Sequence, residues 1–303
     1  MKDSLIQLTK DTVFLEYRLR NSDLDIDKSC ITQSELNDDC YLVNNEENLS
    51  RIIYESVLYY SYDQYQLDGG NHQGMFENAF KRKFKFNETA DETAKLKLGF
   101  YGEALLFTLL KIYYKTETLI CRGYFYDIQK KSEVTGYDCF HLIQSEDALE
   151  LWFGETKFWQ DGKAAINDIF KNINKAISDD YLTETNFVTI LQGKGNIEDK
   201  TSKIYDILDR WDKALIPNLI EELKSNKIKL VYPVLLTYNK YRNDYNESIK
   251  EIITHINQKH NETTFEDIGI DYSIFFILLP IDSVKQCKQQ VIEWIDKNEP
   301  LIS

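Results

Sequence analysis

The sequence predicts an α/β protein: a mixed central sheet flanked by helices, with an addition at its N-terminus. Three observations predict it. Strand-like and helix-like periods alternate along most of the chain, as they do when helices cover the faces of a sheet. Two predominantly apolar runs, 229–238 and 272–281, are separated by a helical stretch at about 246–260. Such runs suit strands buried on both faces. Three further apolar runs, at 119–127, 136–143 and 150–159, follow one strongly apolar helix and precede an amphipathic one.

In chain order, 12–19 reads as a strand. Asn48 reads as the cap of a helix over about 49–62, with Ile53, Val57 and Tyr60 on one face. Asp68-Gly69-Gly70-Asn71 is a turn. Residues 96–114 place Leu98, Tyr101, Leu105, Leu109 and Ile112 at helical spacing, with Glu103 among them. The runs at 136–143 and 150–159 are joined by Gln-Ser-Glu-Asp-Ala, a hairpin connection, so they should pair antiparallel. Asp161-Gly162 ends the second run. The helix expected over 163–178 puts Ile166, Ile169, Phe170, Ile173 and Ile177 on its apolar face. There follow a short strand at 187–192 and Gly193-Lys194-Gly195, a loop too short for a P-loop. A long helix at 202–224, interrupted near Pro217, and a closing helix at 283–297 complete the order.

The chain is expected to divide into an acidic addition, 1–90, packed on a core, 91–303. Residues 1–80 carry fifteen acidic side chains against six basic ones, and no Pro/Ser-rich linker follows them. Apolar residues make up 43% of the 303, enough for a sizeable core. A net charge of -14 opposes general binding to nucleic acid, so any such binding needs a local surface or a partner. The five cysteines are odd in number and form no CxxC pair, which argues against a zinc or disulfide framework; Cys139 and Cys287 read as reduced core residues. The N-terminus lacks the apolar region of a signal peptide, and the most apolar run is about half a membrane span, so a soluble cytoplasmic chain with no membrane partner is expected. Residues 81–85, Lys-Arg-Lys-Phe-Lys, are the densest basic cluster: either a phosphate-contacting edge with Phe84 interleaved, or a solvated helix face.

The chemistry concentrates at 136–159. Glu155 and Lys157 are two apart in a strand and project to one face, with Thr156 on the other. Asp138 sits on the antiparallel neighbour. Crowded carboxylates and a lysine are unfavourable unless a divalent cation or substrate compensates them. Removing Glu155 is therefore expected to leave the fold at least as stable. The plainer reading is a structural Glu155–Lys157 ion pair at a sheet edge. Glu103 is a lone glutamate on an apolar helix: it either reaches solvent at the helix edge or serves a site. His141 alternates away from Asp138, and His72, His255 and His260 are scattered, so none is assigned to catalysis. Trp152 and Trp159 flank the motif and read as core packing, with base stacking the alternative.

The order of a helix with Glu103, a strand, a strand with Asp138, a strand with Glu155-x-Lys157 and a helix resembles the PD-(D/E)XK nuclease fold, although Tyr137 stands at the proline position of that name. G-F-Y-G-E-A-L-L at 99–106, G-Y-D-C-F-H-L at 136–142 and L-W-F-G-E-T-K-F-W at 151–159 resemble the HamA family, the nuclease component of the Hachiman antiphage defence system. The resemblance implies a restriction-endonuclease-like core and Mg²⁺-dependent cleavage of DNA, with Mn²⁺ as a substitute. Glu103, Asp138, Glu155 and the backbone carbonyl of Thr156 would serve the metal, and Lys157 would orient the attacking water. It also implies a helicase partner, HamB, and an effector silent until infection. The alternative is a non-catalytic regulatory or DNA-end-binding subunit that keeps the fold.

Overall fold

The computed structural model describes residues 1–19, 38–84, 86–120, 126–127, 132–133, 137–144, 148–178, 191, 193–197, 199–213, 219–265 and 267–302. In order the elements are α1 (Asp3–Thr12), β1 (Val13–Leu19), β2 (Asp38–Val43), α2 (Glu46–Ser61), α3 (Gln64–Leu67), α4 (His72–Arg82), α5 (Glu92–Leu96) and α6 (Phe100–Tyr113). Then come β3 (Glu117–Ile120), β4 (Tyr126–Asp127), β5 (Ser132–Glu133), β6 (Cys139–Gln144), β7 (Leu149–Phe158) and α7 (Gly162–Ala176). The chain closes with α8 (Lys203–Lys213), α9 (Leu219–Ser225), β8 (Ile228–Asn239), α10 (Tyr245–Glu262), β9 (Tyr272–Ile281) and α11 (Val284–Asp296).

Seven strands form one mixed sheet in the order β1-β2-β9-β8-β7-β6-β3, and β4 pairs with β5 separately. The central strands β2, β9, β8 and β7 run parallel. β1 pairs antiparallel with β2, and β6 runs antiparallel to both β7 and β3. β8 and β9 are buried along nearly their whole length, which is why they read as predominantly apolar runs without strict alternation. Helices cover both faces. One core packs α7, α8, α9 and α10 on the sheet through Ile169, Trp211, Leu223 and Ile253. The other packs α2, α4, α6 and α11 through Ile53, Phe80, Leu105 and Val291.

Several boundaries differ from the sequence expectations. α2 begins three residues early, because Asn45 is its cap and accepts from the Asn48 N–H at 3.0 Å. The apolar helix expected over 96–114 is split, with α5 capped by Asp91 and α6 beginning after Gly99. At 202–224, by contrast, two helices, α8 and α9, stand on either side of the interruption expected near Pro217, which itself lies outside the described residues. So does the strand expected at 187–192, except Leu191; Gly193–Asn196 forms a short 3-10 turn. Residues 145–147 of the hairpin connection also lie outside, but β6 and β7 pair antiparallel as expected.

In the basic cluster Phe84 is buried among Tyr60, Phe80 and Phe100, so it offers no ring for stacking. Lys83 lies 3.8 Å from the Tyr62 ring centroid and donates to the Ser61 carbonyl. Cys40, Cys139 and Cys287 are buried. Among the described residues no helix is long and apolar enough to cross a membrane.

Candidate active site

The site forms where the sheet loses a strand. The β6 ladder ends at the Cys139–Gly154 pair, while β7 continues along β8 to Phe158. Gly154 sits where β7 crosses Pro233; a Cβ there would lie 2.6 Å from Cys139 Sγ and 3.0 Å from Pro233 Cγ, so the close approach requires glycine. Pro233 also has no N–H to give the ladder.

Asp138 lies one residue before β6. Its N–H donates to the Gly154 carbonyl at 2.8 Å, and its Oδ2 accepts from the Thr156 N–H at 2.7 Å. The carboxylate thus serves an edge amide beyond the end of the ladder, which would otherwise need another partner. In a strand the N–H and C=O of one residue leave on the same side, so the Thr156 carbonyl faces that edge as well.

Glu155 and Lys157 share a face, as their spacing predicts. Lys157 Nζ is 2.6 Å from Glu155 Oε1 and 2.9 Å from Asp168 Oδ2 of α7. The Tyr232 hydroxyl of β8 donates to Glu155 Oε2 at 2.8 Å. Burial works against the Lys157 charge, but Glu155 and Asp168 outweigh it and hold its pKa above the ordinary value. Thr156 points the other way, onto Gly102 of α6: a Cβ at 102 would lie 3.2 Å from Thr156 Cβ and collide with its hydroxyl.

That close helix–strand contact brings in Glu103. It is 5% exposed, so the reading in which it reaches solvent is overturned. Its Oε2 accepts from the Tyr60 hydroxyl at 3.0 Å, and the same hydroxyl is 3.0 Å from the Asp138 main-chain oxygen. A hydroxyl has one proton, so Tyr60 serves one of these acceptors at a time.

Glu103, Asp138, Glu155, Thr156 and Lys157 line one cavity of about 270 Å³, together with Lys97, Trp159 and Lys288. A larger cavity of about 590 Å³, around Lys229, Tyr272 and α10, contains none of the sequence-predicted site residues. Among the described residues, no three acidic, histidine or cysteine side chains converge as a ready-made metal cage.

His141 faces away from the cavity, with Nδ1 2.6 Å from Thr116 Oγ1, and burial lowers its pKa to about 3. The other three histidines also lie outside the cavity. Trp152 is core, but Trp159 is not: it follows the end of β7, is 41% exposed and lines the cavity. Sequence reasoning missed Tyr60, Tyr232, Asp168 and Lys288. Three of them carry no sequence signal. Lys288 does, since it interrupts the apolar face formed by Val284, Cys287, Val291 and Ile295.

Fold and cavity together define a class: a mixed α/β protein whose central sheet opens an edge lined by acidic residues and lysine. The HamA family profile matches residues 12–295, and the chain belongs to the HamA family. Membership supports a role in antiphage defence as a component of the multi-component Hachiman system. A search of curated proteins returns no match, and neither does a search of solved structures.

Proposed function

We propose that the cavity is a metal-dependent DNA-cleaving site of the PD-(D/E)XK type, and that the protein is a nuclease effector kept inactive by a helicase partner until infection. The observation that carries the reading is the convergence of Glu103, Asp138, Glu155, Lys157 and the Thr156 edge on one cavity. The order α6, β3, β6, β7, α7, β8, with β6 antiparallel to its neighbours and β8 parallel to β7, supports it.

The donor set suits Mg²⁺. Carboxylate and carbonyl oxygens are the ligands it takes, and it is commonly held by one or two carboxylates plus substrate phosphate rather than by an all-protein cage. Asp138, Glu155 and the Thr156 carbonyl would hold it, with Glu103 acting directly or through water. The ion would polarise the phosphate and supply a more acidic water. Lys157 is kept protonated by its acidic neighbours, so it acts as a donor and not as a base: it orients the attacking water and offsets charge on the phosphate. Asp168 and Tyr232 fix the directions of Lys157 and Glu155. Tyr60 ties Glu103 to the Asp138 backbone. A net charge of -14 supports a partner that delivers the DNA.

The closed Glu155–Lys157–Asp168 chain favours a second reading, a structural ion pair in a non-catalytic subunit. Plasmid nicking by the purified chain, alone and with its helicase partner, ATP and varied DNA ends, separates the two. Cutting is expected with Mg²⁺ or Mn²⁺, and it should be abolished by EDTA and in Glu155→Gln and Lys157→Met. Full cutting in excess EDTA overturns the metal. Absence of cutting in every condition overturns the nuclease.

A further inference from the structure

Lys288 is 9% exposed and sits on the apolar face of α11. Its Nζ donates to the Leu96 carbonyl at 3.0 Å and lies 5.0 Å from the Tyr101 ring centroid and 5.5 Å from that of Phe158. Among the described residues no carboxylate pairs with it. Burial lowers its pKa to about 8, so it remains mostly charged at neutral pH. The nearby Lys95, also buried, is paired with Asp296 at 2.9 Å. A buried ammonium without a counter-ion is costly, and the fold keeps one on the wall of its most chemically loaded cavity.

What surrounds Lys288 indicates which anion is missing. Exposed Lys97 lines the same cavity, as does Trp159, which is 41% exposed and has Lys157 Nζ 5.6 Å from its ring centroid. Two cations beside an accessible aromatic plate are what a nucleic-acid strand requires: ammonium groups for a phosphodiester, and a flat face for a neighbouring base. A paired base shows its face only to its stacked neighbours, whereas an unpaired base can turn out onto an indole.

We propose that Lys288 and Lys97 bind the phosphodiester backbone of a single strand and that Trp159 stacks its adjacent base, so that the site takes unpaired DNA. This rests on reading the cavity as a DNA site. Lys288 is then a substrate-binding residue. Its desolvation weakens the free protein and is compensated when the phosphate arrives.

The test is binding of a fluorescein-labelled oligothymidylate to the full chain, at low salt in EDTA, where no cutting is needed. A duplex of matched length and an excess of inorganic phosphate serve as competitors. The single strand should bind more tightly than the duplex. Lys288→Met should weaken it about tenfold, the size of one lost charge-assisted contact, and lower the salt slope by about one ion. Its melting temperature should be no lower than that of wild type, because an unpaired buried charge has been removed. Lys97→Gln, at an exposed position, should weaken binding without touching the fold, and Trp159→Leu should narrow the preference for single strands. The proposal is overturned if wild type binds no oligonucleotide, if Lys288→Met binds like wild type, or if it melts lower with binding unchanged. Equal binding of the duplex, or displacement by phosphate as effective as by the strand, overturns the single-strand assignment. A chain that binds through Lys288 and never cuts upholds this proposal and overturns the nuclease; one that cuts equally well as Lys288→Met does the reverse.

Discussion

Glu155→Ala should destabilise the fold, and most of the loss should run through Tyr232. The sequence argument pointed the other way, since removing one of several crowded carboxylates relieves repulsion. The structure adds a second neighbour. The Tyr232 hydroxyl is buried and donates to Glu155 Oε2 at 2.8 Å. Burial, followed by the Glu155 charge, holds that phenol well above its ordinary pKa, so it remains a donor at any working pH. A hydrogen bond to a charged acceptor contributes about 1.5–3 kcal/mol, and truncation leaves the hydroxyl unsatisfied. Lys157 keeps Asp168 at 2.9 Å, so the loss stays below that of stranding a buried charge. The expected cost of Glu155→Ala is about 2–4 kcal/mol. In a Tyr232→Phe background no hydroxyl is stranded, and the same substitution should cost about 1.5–3 kcal/mol less. Urea unfolding of the four proteins in metal-free buffer measures this coupling directly. A coupling below about 0.5 kcal/mol, or a Glu155→Ala protein as stable as wild type, would refute the reasoning. Glu155→Gln keeps an acceptor for Tyr232 and should lie between the two.

Gly102→Ala should cost about 1–3 kcal/mol by overpacking, because its new methyl group meets Thr156, and it should also displace the β7 edge and lower activity; thermal melts and nicking assays read both effects. Tyr60→Phe should reduce cleavage more than stability, since the hydroxyl links Glu103 to the Asp138 backbone; unaltered cleavage would show that this link positions nothing. His141 has a folded pKa of about 3, below its unfolded value of about 6.5, so the unfolded chain binds the extra proton. Its contribution is complete above about pH 6.5 and is lost as pH falls toward 3, by up to about 1.4 kcal/mol per pH unit. Denaturation midpoints across that range should fall less steeply in His141→Asn.

Much of the fold was legible because burial writes directly into local pattern. β8 and β9 are apolar along most of their length, broken only by Lys229, Thr237, Asn239 and Ser273, because helices cover both faces of the sheet. α7 shows its isoleucines at helical spacing because only one side of it meets the sheet. The pairing of Glu155 with Lys157 on one face, and of Thr156 on the other, follows from the two-residue period of a strand and needs no tertiary information. Turn and cap positions were less legible: Asn45 and Asn48 lie within one turn and both suit a cap, and only the backbone path decides which side chain meets which N–H.

The acidic and lysine residues of the candidate site were therefore set by sequence, whereas their partners were set by tertiary structure. Tyr60 is separated from Glu103 by 43 positions and Tyr232 from Glu155 by 77, and no local period links residues so far apart. The sheet order decides that β8 runs beside β7 and so delivers Tyr232 to Glu155. The packing of Thr156 against Gly102 decides that α6 comes close enough to place Glu103 in the cavity. Trp159 shows the limit most simply. By pattern it is one more aromatic at the end of an apolar run, but β7 ends at Phe158, and the exposure of the next residue depends on what the rest of the chain leaves uncovered.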